Sequence, residues 1–217
     1  MNVNELASAA AGKAGEWAES LMGLFTSQTR LYRLEGEGGV GELLVESWRG
    51  HEALNAPFEW QVHALSPRAD LALEPLLGQR ASLLTVLADG SLVRRSGLIR
   101  EAALLASDGG FARYRLRLAP WTWLLEQAQR QRTWQDKTVV QIIEAVFGLY
   151  APHALWRWSD DVAGFLADTR ARSLCTQGRE TDWAFVRRLL AEEGLGLRFE
   201  DTPDGVGVVL FADSAAV

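Results

Sequence analysis

The sequence predicts an α+β fold, in which an antiparallel β-barrel domain is followed by a helical and β-hairpin segment. Three observations carry this prediction. From Ser27 to about Ala119, apolar residues recur with a period of two, the mark of half-buried strands. After Pro120 the recurrence changes to three and four residues, as in helices. Near the C terminus two apolar runs flank Pro203-Asp204-Gly205, which reads as a hairpin turn. The 217 residues suit one large domain or two small ones, and 48% apolar with 23% charged content is that of a folded globular chain.

Taken in order, residues 1–26 form an Ala-rich extension of helical character. Residues 27–119 are expected to hold six or seven strands in a barrel or sandwich. "PFEWQVHAL" sets Phe58, Trp60, Val62 and Ala64 on one face and Glu59, Gln61 and His63 on the other. "FARYRLRLA" sets Tyr114, Leu116 and Leu118 against Arg113, Arg115 and Arg117. Further runs at "TRLYRLE", "GELLVESW", "RASLLTVLA" and "LVRRSGLIREAALLA" are separated by glycine-rich or Asp-Gly turns. Residues 120–217 begin with a short helix over "WTWLLEQAQRQ". A second helix opens at Thr138, where Gln141 completes a capping box, and stops at Gly148. The stretch between Leu149 and Arg172 reads as loop. Thr181 then caps a helix whose Trp183, Val186, Leu189 and Leu190 form one apolar stripe, and Gly194 ends it before the C-terminal hairpin.

Charge and composition exclude several functions. A net charge of −6 gives no electrostatic reason to approach a phosphate backbone, so nucleic acid is not an expected partner. One cysteine, Cys175, forms no intramolecular disulfide, which points to folding in the cytoplasm. The N terminus lacks a basic start and carries Glu5, Glu16 and Glu19, so it is not a signal peptide, and nowhere do eighteen apolar residues follow one another as a membrane span requires.

Catalytic readings are weak. "GEGGVG" matches the glycine spacing of dinucleotide sites, but a strand follows it where that mechanism requires a helix, so it reads as a hairpin turn. His51, His63 and His153 have no second ligand at metal spacing, so neither a metal nor a cofactor is expected. A hydrolase could pair Cys175 with His153, or use carboxylates among Glu180, Asp182, Glu192 and Glu193. A buried small residue and solvated helix ends account for the same positions, and no enzyme is expected.

Four stretches in order, "LFTSQTRLYRLEG", "GLIREAALLASDGGFARYRLRLAPWTWLLEQ", "RTWQDKTVVQIIEAVFGLY" and "RSLCTQGRETDWAFVRRLLAEEGLGLRFED", resemble the N-terminal hub region of VgrG proteins, the spike proteins of type VI secretion, which are similar to bacteriophage tail hubs. The resemblance runs from about Leu24 to Ser214. It implies a phage-tail-hub-like fold, with residues 27–119 as the first of two barrels and residues 120–217 as an inserted segment leading toward a second barrel that is incomplete or absent. It implies a homotrimer in the full-length protein that seats on a hexameric Hcp tube, carries a PAAR tip protein and helps deliver effectors. Assembly would be cytoplasmic, with secretion through the apparatus and no signal peptide. A hub of a phage tail or related contractile particle is the alternative. Because the chain stops at "LFADSAAV", a fragment or truncated form is expected, monomeric or weakly associated by itself. The resemblance brings no catalytic residues and makes Trp183, Val186 and Leu190 anchors of a structural joint, with the neighbouring charges facing water or another subunit.

Overall fold

Alternating side chains build the first of two units. In the computed structural model, which describes residues 30–107 and 110–216, this unit comprises described residues up to Arg49 together with Trp60–Leu118. The expected N-terminal helical extension, residues 1–26, lies outside the described residues. The strands are β1 (Tyr32–Gly36), β2 (Leu44–Ala53), β3 (Ala56–Ser66), β4 (Arg80–Val86), β5 (Leu92–Ser107) and β6 (Ala112–Ala119), in the sheet order β1-β4-β5-β6-β3-β2. The β1–β4, β4–β5 and β3–β6 pairs are antiparallel. Although β1 and β2 end this order, the rings of Tyr32 and Trp48 stand 6.0 Å apart, so the sheet curls into a half-barrel.

The predicted faces are the observed ones. Val62, Ala64, Leu116 and Leu118 are fully buried, with Trp60 and Tyr114 nearly so, while Arg113 is exposed. Tyr114 is buried without losing its hydrogen bond, since its hydroxyl donates to the Arg68 carbonyl at 2.8 Å. The glycine-rich run is a turn but not a hairpin. It contains a 3-10 turn at Val40–Glu42 and joins two strands that do not pair, which alternation within either strand cannot reveal. Gly38 and Gly39 adopt φ of 64° and 89°, the left-handed region that favours glycine, and a Cβ at Gly38 would also have to displace the end of the Leu76 side chain, 2.7 Å away. Strand β2 follows, and the dinucleotide reading lapses.

The second unit contains residues 50–59, the tip of the β2–β3 hairpin, and Ala119–Val217. Its elements are α1 (Trp123–Glu126), β7 (Gln129–Trp134), α2 (Val139–Phe147), β8 (Leu155–Trp158), α3 (Asp160–Phe165), β9 (Cys175–Thr181), α4 (Asp182–Glu192), β10 (Gly196–Thr202) and β11 (Gly205–Phe211). One sheet has the order β10-β11-β8, antiparallel then parallel, and a second pairs β7 with β9. The hairpin tip acts as a short extra partner of β10: Asn55 donates its N–H to the Leu197 carbonyl at 2.9 Å and accepts the Leu197 N–H on Oδ1 at 2.8 Å. Phe58 meets Phe199 edge-on at 5.3 Å beside it. Helix α2 buries Val139, Ile142, Ile143, Val146 and Phe147, and Phe147 packs between Trp121 and Trp156.

Two expectations need correction here. The helix expected over "WTWLLEQAQRQ" spans only Trp123–Glu126, and Gln129 onward is strand β7. The region expected as loop holds β8 and α3. Both strands are made by distant partners, β7 by β9 and β8 by β11, so their local sequence carries little of the signal. The capping box at Thr138 and the stop at Gly148 are present as expected.

Candidate functional site

Residues 179–201 concentrate the charge of the second unit, and Asp182 sits at their centre. Thr181 caps α4 by accepting the Ala184 N–H at 3.1 Å, which places Asp182 at the first helical position. Asp182 is completely buried. Its Oδ1 accepts from Gln177 Nε2 at 2.8 Å and from Arg132 Nη2, while Oδ2 accepts from the Tyr150 hydroxyl at 2.6 Å and lies 3.2 Å from Arg130 Nε. Gln177 is held in turn, because Arg132 Nε donates to its Oε1 at 3.0 Å. The expectation of a solvated Asp182 at a helix end is therefore wrong: four side chains replace its water. Burial, followed by the hydrogen bond to Asp182 and its charge, pushes the Tyr150 hydroxyl up to about 12, so it stays a donor.

A β-bulge shapes this cluster. The β7–β9 register shifts between Arg130 and Gln131, leaving Arg179 as the extra residue at φ 56°. Arg130 and Arg132, two apart on β7, both reach Asp182. Below them Trp134 stacks on Phe185 at 5.0 Å, and Arg132 lies over Trp134 at 5.2 Å. The stripe residues Trp183, Val186, Leu189 and Leu190 are buried, and Phe185, absent from that reading, is fully buried with them.

The candidate catalytic groups do not assemble. Cys175 is buried opposite Trp134 in the β7–β9 ladder, and no hydrogen bond joins it to His153 among the described residues. Glu180 and Glu192 bind Arg188 at 2.6 and 2.9 Å, and Glu192 and Glu193 bind Arg172 at 2.5 Å each. The hydrogen bond that Arg188 donates to Glu180 raises its guanidinium above its ordinary value against the opposing effect of burial. Each candidate carboxylate is neutralised by arginine, an arrangement that holds elements together and leaves no free acid and base pair. Among the described residues no cluster of His, Cys, Asp and Glu could hold a metal ion. Arg130, Arg132, Tyr150 and Gln177 escaped the sequence reading. The alternation of "QRQRTW", with two arginines on one face, was the available signal.

Comparison with known proteins decides the family. The family model for the phage tail baseplate hub (GPD) matches residues 51–217. The chain belongs to the phage tail baseplate hub family. It is 34% identical over 168 residues to the type VI secretion system spike protein VgrG1b of Pseudomonas aeruginosa, covering 77% of this hub chain but 22% of that relative. Among solved structures it is similar to the E. coli c3393 protein, described as a type VI secretion component resembling T4 tail proteins, with TM-score 0.70, 26% identity, and coverage of 84% of this chain and 50% of that one. A prophage MuSo2 tail protein from Shewanella oneidensis shares the fold at 13% identity and TM-score 0.55, covering 82% and 52%. The hub chain thus spans about a fifth of the length of that curated relative. Among its described residues no helix is long and apolar enough to cross a membrane.

Proposed function

We propose that this chain is the hub segment of a type VI secretion spike, a structural component that takes part in a trimer connecting an Hcp tube to a PAAR-tipped point and helps deliver effectors. In this reading residues 27–119 are the first hub barrel, and residues 120–217 are the inserted segment that Trp183, Val186 and Leu190 anchor. Assembly is cytoplasmic and export follows the apparatus. The reading includes no catalysis. The observation that carries it is the family match over residues 51–217 together with 34% identity to a spike protein. The arginine-neutralised carboxylates around α4 support a joint over an active site. A phage-tail hub is the second reading, favoured by the shared fold of the prophage tail protein.

A segment swap tests the proposal. Residues 51–217 replace the matching segment of a full-length Pseudomonas spike protein, and release of the tube protein into the medium is measured in a strain lacking its own spike. Restored release is the expected result. A chimera that is stable and trimeric but releases no tube protein, and instead captures a phage tube protein in pull-down, overturns the type VI assignment in favour of the phage reading.

A further inference from the structure

Ser47, Trp48 and Arg49 of β2, with Gln61 and His63 of β3, line a depression of about 230 Å³ in the first unit. Gln61 is only 7% exposed although it belongs to the polar face of β3. Arg49 Nη2 donates to Gln61 Oε1 at 3.2 Å, and Gln61 Nε2 lies 3.0 Å from His63 Nε2.

The chemistry of these three groups orders the chain of hydrogen bonds. A guanidinium only donates, so the Gln61 atom facing Arg49 is oxygen and the amide nitrogen faces His63. That nitrogen also only donates, so His63 Nε2 accepts and the ring proton resides on Nδ1. Neither His63 Nδ1 nor any carboxylate for Arg49 is engaged among the described residues. Arg115 stands opposite His63 and Arg117 opposite Gln61, and Glu101 binds both arginines, so it does not fill the depression. Two donors, one of them cationic, remain on the polar face of β2 and β3.

We propose that this depression binds a carboxylate, with Arg49 and the Nδ1–H of His63 as donors. The carboxylate is supplied by an acidic side chain of a partner protein or by a small carboxylic acid. This inference does not rest on the secretion reading.

The test is an NMR titration of the isotopically labelled full chain at fixed ionic strength. The probes are acetyl-Gly-Glu-Gly-amide, its Gln counterpart and sodium acetate, and the readouts are the His63 ring nitrogens and the Arg49 Nε–H. Before any addition, His63 nitrogen shifts should report the Nδ1–H tautomer, and Gln61→Leu should restore a mixture. Saturable shifts with the Glu peptide and none with the Gln peptide are expected, and Arg49→Gln should weaken binding about tenfold. Acetate matching the Glu peptide identifies a small acid as the source, and a response to the peptide alone identifies a protein segment. Equal responses to Glu and Gln peptides, no saturable shift with any probe, or unchanged binding by Arg49→Gln overturns the proposal.

Discussion

The two units use charge in opposite ways. In the first, alternation sends arginines to the polar face of the sheet, where Arg115 meets Glu101 at 2.5 Å with about a third of each side chain exposed. In the second, a carboxylate with no exposed surface is bound by two arginines, a tyrosine and a glutamine. A curled sheet has a continuous apolar face to bury, so charge is left outside. The second unit joins two smaller sheets to helices, and although α2, α4 and β11 bury apolar faces of their own, a buried polar node also ties α4 to β7 and β9. The difference teaches that the same ion pair chemistry has a different weight in each place: solvent screens one and the other has no alternative partner.

Removing the buried acid breaks this comparison most sharply. Asp182→Ala leaves Arg132 and Tyr150 without their acceptor, and the expected loss is about 3 to 5 kcal/mol, read from urea unfolding. Next comes Thr138→Ala, which deletes the bond from the Gln141 N–H at 3.2 Å and one half of the capping box, for about 1 kcal/mol. Glu101→Ala in the first unit is expected to cost about 1 kcal/mol or less, because its partners stay hydrated. If Glu101→Ala matched Asp182→Ala in the same unfolding experiment, burial would not be what separates the two units.

How much of this was legible follows from the range of each interaction. Phe58, Trp60, Val62 and Ala64 could be assigned to a buried face because a strand sets that face by its own period. The caps at Thr138 and Thr181 were readable too, since each bond closes within three residues. Strand β7 was lost in an expected helix because "QRQRTW" has little apolar alternation and owes its form to β9, some fifty residues on. Asp182 was placed at a helix start, which holds, yet its burial depends on Arg130 and Arg132, which no local pattern ties to it. Phe185 was missed beside Trp183 and Val186 because its face is created by Trp134.

The smallest effect expected is a pH dependence at the end of β11. Asp161 Oδ2 accepts the N–H groups of Ala212 at 2.9 Å and Asp213 at 2.7 Å, which fastens the chain leaving β11 to the start of α3. Hydrogen bonding from Ser159, followed by those backbone N–H groups, lowers its carboxyl to about 2. The folded value lies below the ordinary aspartate value of about 3.9, so the charged form favours the folded state. Its contribution is complete above about pH 4 and is lost as pH falls toward about 2. Asp161→Asn keeps the shape and removes the titration. The gap in Tm between the native chain and this variant should therefore be constant from pH 7 to 5 and close between pH 4 and 2. A gap that persists unchanged at pH 2 would assign the fastening to the geometry of the side chain and not to its charge, and the exposed acids of both units would then share one rule.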